Sequence, residues 1–123
     1  MAVIFRGSRN RKPETEFRQA CIRWLKLRFS GRIWHLRTIG GLGQRTGIPD
    51  DLFCIRCKDG IGRFVAIEFK APGNNRTGPR QNEELKAIRR CGGVAGMVNS
   101  IESLEQLLSE IEPTQMSIKD GKP

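Results

Sequence analysis

Apolar residues along this chain recur in two rhythms. From Pro13 to about Phe29 the apolar positions Phe17, Cys21, Trp24 and Leu25 fall three or four apart, the spacing of one helical face, and Ser30-Gly31 supplies a stop. Pro13 suits the first position of that helix. Arg32 to Thr38 alternates instead, with Ile33 and His35 on one side and Trp34 and Leu36 on the other, which predicts a strand. Two more strands are expected over Asp51–Cys57 and Gly62–Phe69, joined at Lys58-Asp59-Gly60. Pro79 opens a helix bearing Leu85 and Ile88 that closes at Gly92-Gly93, and Val94–Val98 is a short apolar strand. Asn99, with Glu102 three residues on, reads as a capping box for a final helix carrying Ile101, Leu104, Leu107, Leu108 and Ile111. The order α-β-β-β-α-β-α predicts an α/β domain with a mixed central sheet, helices on its faces and a last strand reached by a helical crossover. Residues 1–12 read as a flexible basic arm, 13–112 as the domain and 113–123 as a disordered tail.

The turn fixes a register. If Lys58, Asp59 and Gly60 form a three-residue hairpin loop, with Gly60 in the left-handed position, Cys57 pairs with Ile61. Asp50 then stands opposite Glu68, on one face of the hairpin, with side chains roughly 4.5–5.5 Å apart at Cβ. Lys70, two residues beyond Glu68, projects the same way. Paired carboxylates at that separation repel unless a cation lies between them, and Mg²⁺ prefers such hard oxygen ligands. The same register turns Asp51 to the opposite face, so the pairing selects Asp50; a bulge in either strand would reverse the choice. An isolated Glu-x-Lys is most often a solvated edge or a cross-strand ion pair, and it is the opposed Asp50 behind Gly47-Ile48-Pro49 that lifts this one above that reading.

Charge adds a partner. Lys and Arg number 22 against 13 acids, a formal charge of +9 and a pI near 10.1 in 123 residues, which favours a polyanion and foremost nucleic acid. The basic residues are spread along the chain, Arg76 and Arg80 following the Glu-x-Lys strand among them. The glycine-rich stretch from Ile39 to Gly47 lacks the lysine and spacing of a phosphate-binding P-loop and reads as a mobile loop presenting Gln44 and Arg45 to a backbone phosphate. No apolar run is long enough to span a membrane and no signal-peptide core opens the chain, so a cytoplasmic or nucleoid location and reduced cysteines are expected. Cys54 and Cys57 have the spacing of a zinc half-site, but a second pair is missing and both are expected to pack. His35 is expected to be structural.

These residues together resemble the virus-type replication–repair nuclease (VRR-NUC) domain family, within the PD-(D/E)xK nuclease superfamily. The resemblance rests on an acid in the first helix (Glu14 or Glu16), Gly47-Ile48-Pro49-Asp50, Glu68-Phe69-Lys70 and Gln81 at the start of the next helix, in that order, over most of the chain. It implies a restriction-endonuclease-like core and a metal-dependent phosphodiesterase. Asp50 and Glu68 would hold Mg²⁺ or Mn²⁺, helped by the Phe69 carbonyl. Lys70 would orient or activate the attacking water and offset transition-state charge. Gln81 would position the water or a phosphate oxygen, the alternative being a solvated first-turn residue. The family pattern, with the acid three residues before an apolar one, favours Glu14, which stands so before Phe17. Stand-alone members resemble junction resolvases, implying a homodimer on branched DNA such as Holliday junctions, with no small-molecule cofactor. Competing readings are a non-catalytic nucleic-acid-binding protein, a nuclease for flap or duplex DNA, and a restriction-type enzyme, for which no added recognition segment is evident.

Overall fold

The computed structural model describes residues 12–40 and 44–112. The arm expected at 1–12 therefore lies outside the described residues apart from Lys12, and so does the tail expected at 113–123. Among these residues the order is α1 (Pro13–Arg28), β1 (Ile33–Arg37), β2 (Asp51–Arg56), β3 (Gly62–Phe69), α2 (Pro79–Arg90), β4 (Val94–Val98) and α3 (Ile101–Leu108), as the patterning predicts. The strands lie side by side in chain order; β1, β2 and β3 are antiparallel, and β4 joins β3 in parallel after the α2 crossover.

The hairpin takes the expected register. Gly60 N–H donates to Cys57 O at 2.8 Å and Cys57 N–H to Ile61 O at 2.9 Å, with Gly60 at φ +84°. Asp51 consequently pairs with Ile67 and Phe53 with Val65. Because side chains alternate along each strand, this register sorts the sheet into two faces. Phe53, Ile55, Val65, Ile67 and Phe69 point to one face and bury completely against Phe17, Cys21, Leu25 and Phe29 of α1 and its cap, and Leu104 and Leu108 of α3. Full burial of each such side chain stabilises the fold by roughly 1.5–3 kcal/mol. Ala66 and Ala95 point to the other face, where Leu85 of α2 covers them, flanked by Leu52 and Ile88. Three layers result, with α1 and α3 on one side of the sheet and α2 on the other.

Two local expectations are corrected. The cap of α3 is Ser100 and not Asn99: Ser100 Oγ accepts from Ser103 N at 3.0 Å while Ser103 Oγ accepts from Ser100 N at 3.1 Å. Asn99 instead donates from Nδ2 to Asn74 O at 2.8 Å, tying the loop after β3 to the end of β4. Cys57 packs in the core as expected, but Cys54 is exposed, because the row it occupies lies beyond the reach of α2.

Candidate active site

The chain turn Ile48-Pro49-Asp50 is pinned to the end of β1: Thr38 N–H donates to Asp50 O at 2.8 Å and Thr38 Oγ1 to Pro49 O at 2.7 Å. That anchoring brings Asp50 level with the last residues of β3, where its Oδ2 accepts from Phe69 N at 3.0 Å. Glu68, one position back on β3, is 4% exposed. Its Oε2 accepts from Gln81 Nε2 at 2.8 Å and lies 3.5 Å from Lys70 Nζ. Lys70 Nζ also donates to Gln81 Oε1 at 3.3 Å, and the same oxygen accepts from Gly78 N at 3.1 Å, closing the first turn of α2. Gln81 is thus bound between Glu68 and Lys70 and is no solvated first-turn residue.

The carboxylates are held under electrostatic stress. Burial, then the neighbouring Asp50, pushes the Glu68 carboxyl up to about 7, and Lys70 offsets only part of this. Asp50 is also raised, first by burial and further by Asp51, against the lowering effect of the Phe69 N–H. Glu68 Oε1 is buried and has no hydrogen-bond partner among the described residues. A buried carboxylate oxygen without a donor, beside a second raised carboxylate, fits a hard divalent cation that needs oxygen ligands and keeps open positions for water or phosphate. Among the described residues no group of three or more His, Cys, Asp and Glu side chains converges on a metal site, so such an ion would rest on this pair and backbone oxygen.

Asp51, the neighbour of Asp50, does a different job on the other face. It is wholly buried and accepts from Arg18 Nε at 2.7 Å and Arg18 Nη2 at 2.6 Å. Its Oδ1 also shares a 2.6 Å hydrogen bond with His35 Nε2, and the His35 ring stacks on Phe53 at 4.8 Å between centroids. This buried network joins α1, β1 and β2 behind the site, and His35 is structural within it. Arg18 was not singled out by the sequence: its partner lies in another element, and nothing local marks it.

The helix acids differ from expectation. Glu14, which the family pattern favours, is exposed in the first turn of α1, and it is Glu16 that is buried, at 7% exposure. Of the basic residues assigned to nucleic acid, Arg76 and Arg80 are exposed. Arg45 is also exposed and clasps Glu84 of α2, Nε to Oε2 at 2.5 Å and Nη2 to Oε1 at 3.0 Å. Gln44 and Arg45 line, with Thr38, Thr46 and Asp50, a cavity of 340 Å³ beside Asp50. Residues 41–43 of the glycine-rich loop lie outside the described residues. Gly47 fixes the remainder: at φ +91°, a Cβ there would stand 2.7 Å from the Arg80 backbone carbonyl. The segment leading to Asp50 therefore touches the helix bearing Gln81 backbone to backbone.

This arrangement of sheet and helices has a solved counterpart. A structure described as a VRR_NUC domain protein aligns with a TM-score of 0.58, covering 84% of this chain and 90% of that one. The fold is restriction-endonuclease-like. Sequence identity over the alignment is 17%, so the likeness is one of fold. No protein-family model matches the chain, and no curated protein matches it in sequence.

Proposed function

We propose that this chain is a divalent-metal-dependent endodeoxyribonuclease that hydrolyses phosphodiester bonds in branched DNA such as Holliday junctions, acting as a homodimer. The observation that carries the reading is the convergence of Asp50, Glu68, Lys70 and Gln81, with a buried Glu68 oxygen that no donor among the described residues satisfies. The structural likeness to a VRR_NUC domain protein and the charge of +9 support it.

In this reading Asp50 and Glu68, with the Phe69 carbonyl, would hold Mg²⁺ or Mn²⁺. The bound ion supplies Lewis-acid polarisation of a phosphoryl oxygen and a more acidic water. Lys70 would offset charge on the phosphoryl oxygens as the bond breaks, because its Nζ is aimed into the site by Glu68 Oε2 and Gln81 Oε1. Gln81 would hold the water or a phosphate oxygen. The acid of the first helix would be Glu16, which is buried, and not the exposed Glu14. Gln44, Arg45, Arg76 and Arg80 would contact backbone phosphates. Two copies, each with one such centre, would be needed to cut two strands symmetrically.

The test is incubation of the purified protein with labelled four-way junction, flap and linear duplex in Mg²⁺, Mn²⁺ or EDTA, beside Asp50→Ala. Paired metal-dependent nicks in the junction, absent from the variant, are expected. Binding without cleavage of any substrate would refute the enzyme and leave a DNA-binding protein.

A further inference from the structure

The sheet face that carries Asp50 and Glu68 is only half covered. Leu85 and Ile88 of α2 lie over Ala66, Ala95 and Leu52, and the rows beyond them are bare. There Trp34 is 53% exposed and Phe64 42%, and Leu36, at the β1 end of the Leu52–Ala66 row, is 48% exposed beside them. Trp34 pairs with Cys54, and Cys54 with Phe64, so the two aromatic rings stand in one cross-strand row about 10 Å apart, two strand spacings. Large exposed aromatic side chains in one patch mark a contact surface.

Three cavities lie between this row and Asp50. The one beside Asp50 reaches Arg45. A second, of 380 Å³, runs from Arg45 along α2 to Phe64 and Cys91. A third, of 280 Å³, is walled by Trp34, Cys54, Arg32 and Arg56. Arg45 is common to the first two, and the Cys54–Phe64 pair links the second to the third. Phe64 lies four residues from Glu68 on the same strand, an offset of about 13 Å, and because Leu85 covers Ala66 between them a bound strand would pass along the flank of α2 by Arg45.

We infer that this open half of the sheet is a stacking platform for an unpaired DNA strand whose backbone continues into the site at Asp50. The inference rests on the nuclease reading for its direction and goes beyond it: a four-way junction is fully paired, and this face adds branched DNA with a single-stranded arm as a substrate class. Charge chooses the occupant. The cavity walls carry Arg45 and Arg56 beside Arg32, whose guanidinium is held by Glu112, while the acid lining the second cavity, Glu84, is clasped by Arg45. A second copy docked on this face would bring the same arginines against their equivalents. A single strand offers phosphates to the arginines and flat, apolar bases to Trp34 and Phe64, and base–aromatic stacking needs no particular sequence.

The test is made in EDTA, so that it reads binding without cleavage. Trp34 emission is followed in a Trp24→Phe background while oligo(dT) is added. Binding of labelled flap and blunt duplex is measured by anisotropy for Trp34→Ala and Phe64→Ala. Quenching of Trp34 is expected, with single-strand and flap affinity falling about 5- to 150-fold in each variant and duplex affinity changing less than about twofold. Both positions are exposed, and circular dichroism checks that the variants fold. Unchanged Trp34 emission at saturation, or unchanged flap affinity in both variants, would overturn the inference. So would a wild-type dimer that Trp34→Ala converts to a monomer in sedimentation, since the face would then be a self-contact. The outcomes separate from those of the nuclease reading: cleavage without stacking sinks the platform alone, and stacking without cleavage in Mg²⁺ or Mn²⁺ sinks the nuclease alone.

Discussion

Replacing Glu68 by Gln should make the metal-free protein more stable while abolishing its proposed activity. The Glu68 carboxyl is pushed from an ordinary 4.5 up to about 7 by burial and by Asp50. The folded state therefore holds a proton on Glu68 that the unfolded state has released between about pH 4.5 and 7, and stability falls as pH rises through that window. At about 1.4 kcal/mol per pH unit the penalty at pH 8 is at most about 3.5 kcal/mol, fully present above pH 7 and absent below pH 4.5. Glutamine keeps the shape and can still accept from Gln81 Nε2, which reaches Glu68 at 2.8 Å, but it carries no charge. Urea denaturation in EDTA should show Glu68→Gln exceeding the wild type by about 1–3 kcal/mol at pH 8, a rise in Tm of roughly 4–12 °C, with no difference at pH 4. Added Mg²⁺ should raise the wild type at pH 8 and leave the variant unmoved. A variant no more stable than the wild type at pH 8, or one whose gain is the same at pH 4, would refute the reasoning that these carboxylates are stressed in the absence of a cation.

Asp51→Asn should do the opposite, costing about 3–5 kcal/mol in urea at neutral pH, because it leaves the Arg18 guanidinium buried without its carboxylate. Gly47→Ala forces a side chain at φ +91° against the Arg80 carbonyl, so a loss of at least about 1–3 kcal/mol is expected in thermal denaturation, with weaker Mg²⁺ binding by calorimetry. Arg45→Ala should leave Tm unchanged, since its pair with Glu84 is exposed, yet lower the salt dependence of DNA binding by about one unit of slope.

The hairpin and its acids were legible because their information is local. Lys58-Asp59-Gly60 sets the loop length, the loop sets the register, and the register separates Asp50 from Asp51. The helix of Gln81 could be placed from Pro79, but its bonds to Glu68 and Lys70 could not, since they depend on how α2 crosses the sheet. Arg18 was invisible for the same reason: its meaning comes from Asp51, 33 residues away. The choice between Glu14 and Glu16 turned on the rotation of α1 about its axis, which a stripe of Phe17, Cys21 and Leu25 leaves loose by a residue at its margin. Alternation put Trp34 and Leu36 on one side of β1, but only the reach of α2 decides that this side stays uncovered. Asn99 and Ser100 both suit a cap, and the choice fell to Ser103, whose hydroxyl answers Ser100.

β3, the strand of Glu68, gains its first neighbour through a three-residue loop and its second only through the whole of α2. Contacts of short sequence separation form fastest, so a chain leaving the ribosome can zip β2 to β3 early, with Asp50 and Glu68 already face to face. Lys70 N–H waits for the carbonyl of Val98, and Glu68 for the amide of Gln81. Synthesis must therefore pass β4 before the four groups can stand together. A half-made chain would hold the acids but none of the partners that aim them, so the proposed activity toward nucleic acid would arrive only with the closing of the sheet.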